Sequence, residues 1–276
     1  MILIADSGST KTEWALVSKN ETDLFKTSGM NPYFVTTNEL LKIKEILLKS
    51  VNNKSVTNVF FFGAGCNSTE KKNVIEDFLN KTFPDSKIEI ESDLLGAAKA
   101  LFGKNNGIAV ILGTGASSGY FNGNEITFKT ESLGYILGDE GSGTYIGKHF
   151  ITNLLYGNFS KEIENNFKNE FGIWKPEILE NVYSKANANK YLASFTYFIK
   201  ENIKNKQVKA IVENAFDDLI TNHLLKYPEI QNTKVGFVGS IANVFSEILF
   251  ERCNVHNIKI QLIVAKPIMK LVEFYK

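Results

Sequence analysis

Four carboxylates stand where a folded chain could use them for chemistry. Asp6 ends the apolar run ILIA, Asp93 follows an apolar segment and opens a helical one, and Asp139 and Glu140 lie in GDEGSG. Open α/β sheets bind ligands at the carboxyl ends of their strands, and a carboxylate there can accept a proton or face a cation. Asp93 could equally cap its helix, and Asp139 and Glu140 could simply favour a helix N-terminus electrostatically. Position alone leaves these alternatives open.

Three turns of small residues supply a second kind of chemistry. They are DSGSTKT from residue 6, LGTGASS from residue 112 and VGFVGSIAN from residue 235. The first shares letters with a P-loop, but Thr10 stands where that motif needs glycine, and the alternating residues after Lys11 predict a strand instead of a helix. Small residues let backbone amides approach an anion, so each turn could hold phosphate or be an ordinary turn. Together they favour a nucleoside triphosphate ligand.

The elements that must position these residues alternate between strands and helices, which predicts a mainly parallel sheet entered through an antiparallel hairpin. At residue 107 the strand, small-residue turn and strand pattern begins again, which indicates an internal duplication. We read Tyr135-Ile136-Leu137 as strand-like and the longest helix as Lys206 to Tyr227. The other predicted segments are a hairpin over 2–18, a strand toward 25, helices over 38–49 and 68–81, strands over 59–62 and 88–90, helices over 143–226, strands over 234–238 and 259–264, and a helix after Pro267.

Composition narrows the class of protein. The 276 residues are 43% apolar and 22% charged with a net charge of +1, which gives no general attraction to nucleic acid or membrane. The start MILIAD turns polar at once, so we expect a cytoplasmic protein. Cys66 and Cys253 form no metal or disulfide pattern, and His149, His223 and His256 have no metal spacing.

The order DSGSTKT, ESDLLGAA, LGTGASS, GYILGDEGSG and GFVGSIA resembles the actin-like ATPase superfamily of sugar kinases, and within it the BadF/BadG/BcrA/BcrD and N-acetylglucosamine kinase family. The resemblance covers residues 2 to 245. It implies a two-lobed, ribonuclease H-like α/β fold with duplicated βββαβαβα lobes and an interlobe cleft. The expected lobes are residues 1–104, joined by the C-terminal helix 266–276, and residues 105–265.

The resemblance also assigns roles to residues. Asp93 would accept the sugar hydroxyl proton, because a hydroxyl is a poor nucleophile at neutral pH. Asp6 would contact Mg²⁺ through water. ATP would be bound by three loops. The matching residues are Gly8, Ser9, Thr10 and Lys11 in the phosphate-1 loop, Gly113, Thr114, Gly115 and Ser117 in the phosphate-2 loop, and Gly239 and Ser240 in the adenosine loop. The sugar would be bound by Asn31, Asp93, Leu133, Gly134 and Asp139.

The expected reaction is ATP- and Mg²⁺-dependent phosphorylation of an amino sugar, foremost N-acetylglucosamine to its 6-phosphate. Animal N-acetylglucosamine kinases carry G-W-G where this chain has Ser132-Leu133-Gly134, so glucosamine and N-acetylmuramic acid remain alternative substrates. Many relatives have asparagine at the position of Ser117. An ATPase or sugar sensor without kinase activity is the alternative of another class, and a homodimer remains open. Activators of the BadF type hold an iron-sulfur cluster through cysteine motifs that this chain lacks.

Overall fold

The computed structural model describes residues 1–276, and these divide into two compact units. Unit 1 comprises residues 1–105, 121–126 and 266–276, and unit 2 comprises residues 106–120 and 127–265. Each unit is built on one five-stranded sheet. No helix of the chain is long and apolar enough to cross a bilayer.

Unit 1 has its strands in the order β3-β2-β1-β4-β5. β1 is antiparallel to β2 and parallel to β4, which is in turn parallel to β5. The strands are β1 (Ile2–Ser7), β2 (Lys11–Val17), β3 (Thr22–Ser28), β4 (Asn58–Gly63) and β5 (Lys87–Ser92), and the helices are α1 (Thr37–Val51), α2 (Thr69–Thr82), α3 (Asp93–Phe102) and α13 (Ile268–Tyr275).

Both faces of this sheet are covered because its inner strands are apolar on both sides. Trp14 and Phe61 anchor the core under α1 and α2, while Ile4 and Phe62 pack on the other face with Leu271 of α13. Local signals fix the helix starts. Thr36 and Glu39 form a capping box at α1, and the hydroxyl of Ser92 accepts a hydrogen bond from Leu95 N–H at the start of α3.

Unit 2 repeats the strand order, since β8-β7-β6-β9-β10 corresponds to β3-β2-β1-β4-β5. Its strands are β6 (Gly107–Leu112), β7 (Ala116–Phe121), β8 (Ile126–Lys129), β9 (Val235–Val238) and β10 (Ile260–Val264). Helices α4 to α10 lie between β8 and β9, where unit 1 has only α1, and supply much of a large aromatic core. These helices are α4 (Gly134–Leu137), α5 (Gly143–Leu155), α6 (Lys161–Phe171), α7 (Lys175–Tyr183), α8 (Ala188–Ser194), α9 (Thr196–Glu201) and α10 (Lys206–Asn222), followed after β9 by α11 (Ser240–Val244) and α12 (Ser246–Val255). The two sheets confirm the predicted α/β fold with a duplicated architecture.

Two local predictions are wrong, and one alternative that the sequence left open is excluded. Tyr135-Ile136-Leu137 is not a strand but part of the short helix α4, whose Ile136 and Leu137 are exposed and pair with no strand. The predicted long helix ends at Asn222 and is followed by a separate 3₁₀ turn, because His223 leaves ideal helical geometry at φ −116°. Asp93 is not the cap of α3, since Ser92 holds that position.

Candidate functional site

The turn at Gly8–Lys11, the predicted phosphate-1 loop, is a tight β-hairpin connection in unit 1. Gly8 N–H donates to the carbonyl of Lys11 at 3.0 Å, so Ser9 and Thr10 occupy the tip and are exposed. Gly29 N–H donates to the carbonyl of Thr10 at 3.1 Å, and a Cβ atom at Gly29 would overlap the backbone of Gly8 and Ser9. The absence of a side chain at Gly29 therefore lets the segment after β3 support the turn.

Asn31 lies directly beside this turn and is buried. Its side-chain amide donates to Ser9 Oγ at 2.9 Å, and its Oδ1 accepts from Tyr33 N–H at 3.0 Å. A Cβ atom at Gly65 would come within 2.5 Å of that oxygen. The asparagine that is predicted to contact the sugar is thus held in a fixed orientation beside the turn at Gly8–Lys11.

Asp6 and Asp93 lie at the same edge of the unit 1 sheet. Ser7, Gly63 and Ser92 are in register across β1, β4 and β5, so the residues at these strand ends form one row. Asp93 follows Ser92 directly as the first residue of α3, where its Oδ1 accepts from Leu94 N–H at 2.9 Å. A hydroxyl-activating carboxylate and a cation-facing one would therefore share this edge.

The electrostatics of this edge are unfavourable for ionised Asp6. Burial, then the charges of Asp93 and Glu13, raise the pKa of Asp6 to about 7, and only Lys11 opposes the shift. Glu13 is the cross-strand partner of Asp6 in β2 and is itself buried. Its Oε1 lies 3.1 Å from Lys266 Nζ, 3.7 Å from Lys26 Nζ and 4.0 Å from Lys11 Nζ.

This arrangement fits a hydrated Mg²⁺ near Asp6. No cluster of three or more His, Cys, Asp or Glu side chains in the chain could enclose a metal ion. Mg²⁺ does not need such a cluster, because it keeps several waters and is held by one or two carboxylates together with substrate phosphates. A divalent cation would compensate the negative charge that raises the pKa of Asp6.

Asp6 should make the stability of the metal-free protein depend on pH. Because its pKa is higher in the folded state than the ordinary 3.8, the folded protein holds its proton to about pH 7 while the unfolded chain loses it. The free energy of unfolding should therefore fall as pH rises from about 4 to 7, by at most about 4 kcal/mol from this group. Urea unfolding in EDTA at pH 5 and pH 8 measures the difference, which Asp6→Asn should reduce.

The variant Asp23→Asn provides a matched control. The carboxylate of Asp23 is more than half exposed and pairs with Lys54 Nζ at 3.3 Å. This variant should leave the pH dependence as in the wild-type protein. An Asp6→Asn variant with the same pH dependence as wild type would show that Asp6 ionises normally.

The turn at residues 113–117 of unit 2, the predicted phosphate-2 loop, is attached to the start of α5. Gly113 N–H donates to the carbonyl of Gly115 at 3.0 Å, which closes the turn. Gly143 N–H donates to the carbonyl of Gly113 at 2.9 Å, and Thr144 binds the carbonyl of Thr114 through both N–H and hydroxyl, at 3.1 and 2.6 Å. Backbone carbonyls of the turn thus face α5, which leaves the turn rigidly held at the carboxyl edge of β6.

Asp139 is joined to the same turn in unit 2. Its Oδ1 accepts from Ala116 N–H at 3.3 Å, and a Cβ atom at Gly115 would lie 3.0 Å from its Oδ2. Burial raises the pKa of Asp139, an effect that the hydrogen bond from Ala116 partly offsets. Asp139 also adopts the left-handed region with φ +61°, which is uncommon for a residue with a side chain. A buried, backbone-anchored carboxylate of this kind can orient hydroxyl groups of a ligand.

The remaining predicted binding residues of unit 2 differ in their surroundings. Gly239 has φ +122°, donates its N–H to the carbonyl of Val264 at 2.9 Å and has no room for a side chain beside the carbonyl of Leu112. Ser240 follows it as the exposed first residue of α11, and Ser117 is partly buried in β7. Leu133 is exposed and precedes Gly134, which has φ +72°.

Glu13 and His223 lie beside predicted site residues, but the sequence did not indicate either of them as part of a site. Glu13 looked like an ordinary polar position of an alternating strand, and its lysine neighbour Lys266 is distant along the chain. His223 binds Glu140 across 83 residues, with Nε2 and Oε2 3.0 Å apart. No local sequence pattern predicts contacts between residues so far apart in the chain.

Both cysteines are free and buried, as expected from their isolation. Burial raises the pKa of Cys66 and of Cys253 to about 12, so neither thiol is a reactive thiolate at neutral pH. Cys66 lies in unit 1 and Cys253 in unit 2, each within the hydrophobic core of its own unit.

The chain as a whole is similar to proteins assigned as sugar kinases. A Porphyromonas gingivalis protein of known structure is provisionally assigned as an N-acetylglucosamine kinase and is 35% identical to this chain. The two superpose with a TM-score of 0.95, and the match covers 100% of this chain and 98% of that protein. A Chromobacterium violaceum protein with the same provisional assignment shares the fold at 14% identity and a TM-score of 0.73, over 100% of this chain and 98% of its own.

A curated relative is the N-acetylmuramic acid/N-acetylglucosamine kinase of Clostridium acetobutylicum, 29% identical over 168 residues. That match covers 59% of this chain and 51% of the relative, so it spans about half the length of the curated protein. No family model matches the chain.

Proposed function

The chain belongs to the sugar kinase family that includes the Porphyromonas gingivalis protein, and on that premise we propose that it transfers the γ-phosphoryl group of ATP to an amino sugar, foremost N-acetylglucosamine. The observation that carries this proposal is the 35% identity maintained over essentially the full length of both chains. The more specific BadF/BadG/BcrA/BcrD assignment stays a prediction from the motifs.

Asp93 is proposed to accept the proton of the attacking sugar hydroxyl. Its support is its place at the carboxyl edge of the unit 1 sheet, immediately after β5, with a carboxylate oxygen already bound by Leu94 N–H. Asn31 and Asp139, each buried and held by backbone or side-chain hydrogen bonds, would orient other sugar groups.

The small-residue turns are proposed to bind ATP. The hairpin at Gly8–Lys11 and the turn at residues 113–117 would contact the phosphates, and Gly239 with Ser240 would contact the adenosine. Mg²⁺, when bound near Asp6, would neutralise charge on the phosphates of ATP during transfer of the γ-phosphoryl group. The residues of this chain supply orientation, and the exclusion of water would favour the sugar hydroxyl as acceptor.

N-acetylmuramic acid is a second candidate substrate, because the curated relative acts on both sugars. Product analysis distinguishes the possibilities. Incubation of the purified protein with ATP, Mg²⁺ and each sugar, followed by two-dimensional ¹H–³¹P NMR, should show a phosphate coupled to the C6 protons of N-acetylglucosamine. Phosphate on another carbon, or on N-acetylmuramic acid alone, would overturn the foremost substrate or position.

Lys11 should matter only modestly for ATP. Its side chain is 61% exposed and its Nζ lies 4.0 Å from Glu13 Oε1, so it resembles a surface ion pair more than a buried phosphate-binding lysine. Lys11→Ala should raise the KM for ATP by less than about tenfold, since exposed charge contacts contribute about 1 kcal/mol or less. Steady-state kinetics at varied ATP measure this.

Lys26→Ala is the matched control, because Lys26 is 62% exposed and lies 3.7 Å from the same Glu13 oxygen without belonging to the turn. It should leave the KM for ATP unchanged. A loss of activity of several orders of magnitude in Lys11→Ala, with Lys26→Ala normal, would instead show that Lys11 is an essential phosphate contact.

A further inference from the structure

The peptide that carries Asp139 is tied to α10 by the next side chain, Glu140. Glu140 Oε2 lies 3.0 Å from His223 Nε2, and Glu140 Oε1 accepts from the Asn222 side-chain amide at 3.1 Å. Both carboxylate oxygens are therefore occupied by neighbours at the end of α10. Burial acts to raise the pKa of Glu140, but hydrogen bonds from His223, its own backbone and Asn222 lower it overall, so this carboxyl is ionised at neutral pH.

His223 is in turn held from its other side. The side chain is buried, and its Nδ1 lies 3.0 Å from Thr130 Oγ1. Thr130 Oγ1 is 2.8 Å from Ser118 Oγ, and Ser118 Oγ is 2.8 Å from Tyr227 OH. A continuous polar chain thus runs from Glu140 through the imidazole to β7, and such satisfied buried networks fix geometry more firmly than isolated pairs do.

The backbone of Asp139, next to this network, is in an unfavourable conformation. Asp139 is held at φ +61°, a region that costs free energy for a residue with a side chain. The Asp139 carboxylate accepts a hydrogen bond from Ala116 N–H at a long 3.3 Å. The Asp139 carbonyl also accepts from Ser142 N–H at 3.0 Å, and the neighbouring Glu140 adds hydrogen bonds to an ionised carboxylate, which are stronger than those between neutral groups.

We propose that Glu140 and His223 are positioning residues that hold Asp139 in the conformation in which its carboxylate contacts the sugar. The inference rests on the proposed function for its kinetic consequence, and on the geometry alone for its structural consequence. Neither Glu140 nor His223 contacts the substrate in this proposal. They would set the affinity for sugar through the orientation of Asp139.

Kinetics with a matched set of variants test the first consequence. Glu140→Ala and His223→Ala should each raise the KM for N-acetylglucosamine by about 10- to 100-fold, the range expected when a charge-assisted hydrogen bond is lost, with kcat changed much less. Glu140→Gln keeps an acceptor and a donor for the same neighbours and should recover most of the affinity. A merely structural role would not give this separation of KM from kcat or this rescue.

Asp217→Ala is the control, because it removes another side-chain pair of α10, with Arg252 Nε at 2.7 Å, that does not touch residues 138–141. It should lower thermal stability and leave the KM for sugar unchanged. If Asp217→Ala raises this KM as much as Glu140→Ala does, or if folded Glu140→Ala binds sugar normally, the positioning role is refuted while the kinase assignment stands.

Crystal structures of wild-type protein and Glu140→Ala test the second consequence without any activity. The wild type should keep Asp139 at positive φ with its carboxylate against Ala116 N–H, and the variant should show this peptide displaced. An unmoved Asp139 in the variant would overturn the proposal. Absence of sugar-dependent turnover in the wild type would overturn the proposed function alone, because the crystallographic comparison would still decide the positioning role.

Discussion

An Asp93→Asn variant is expected to bind ATP normally and to lose about two to four orders of magnitude in the rate of sugar phosphorylation, which is the usual effect of removing a general base. The amide cannot accept the hydroxyl proton, although it has nearly the shape of the carboxylate. The fold should persist, because Ser92 and not Asp93 caps α3. Initial rates at saturating ATP and sugar, together with ATP titration, measure both properties.

Asp85→Asn is the control for this substitution, since it changes an exposed aspartate of the same unit just before β5. Its rate should equal that of the wild type. A folded Asp93→Asn variant that phosphorylates sugar at the wild-type rate would remove Asp93 from the proposed mechanism. If both variants lose activity together, a general effect on this part of unit 1 would be the cause.

Replacing Gly239 by alanine should lower both the stability of the protein and its affinity for ATP. The residue has φ +122° and ψ 166°, a conformation that is essentially confined to glycine, and a Cβ atom there would overlap the carbonyl of Leu112. Strain of this kind costs about 1–3 kcal/mol, and relief of the overlap would move the end of β6 as well. The Tm should fall by roughly 5–10 °C, and the Kd for ATP should rise at least about tenfold if this turn binds adenosine.

Gly172→Ala separates strain from crowding. Gly172 also has positive φ, at +63°, but no atom lies within 4 Å of a Cβ built on it. Its replacement should cost about 1–2 kcal/mol in the free energy of unfolding and leave ATP binding intact. Calorimetry of both variants gives Tm and Kd, and a Gly239→Ala protein with wild-type values of both would show that this turn is neither crowded nor involved in ATP binding.

The elements that local patterns define could be predicted from the sequence. The hairpin at Gly8–Lys11 followed from the alternation after Lys11, and its counterpart around residues 113–115 followed from the repeated pattern. Strand β4 and helix α3 were equally visible, because an apolar run and a following polar helix start are local features. The duplicated strand order in both units is consistent with these local signals acting twice.

Features that depend on distant neighbours could not be predicted. Tyr135 to Leu137 was assigned wrongly because a short apolar run has no distinguishing period, and only the absence of a pairing strand decides for α4. The raised pKa of Asp6 depends on its burial, then on the charge of Asp93 after another strand and on that of Glu13 across the hairpin. The bond from Glu140 to His223 joins the end of α10 to a loop far earlier in the chain.

Sugar-dependent release of ADP tests the proposed kinase most directly. The purified protein with ATP and Mg²⁺ would be assayed without sugar and with N-acetylglucosamine, N-acetylmuramic acid, glucosamine or glucose, with Asp93→Asn as the inactive reference. We expect negligible ADP without sugar and rapid release with N-acetylglucosamine. Equal ADP release with and without every sugar would show an ATPase instead of a sugar kinase, and no release under any condition would contradict ATP-dependent phosphorylation of these sugars.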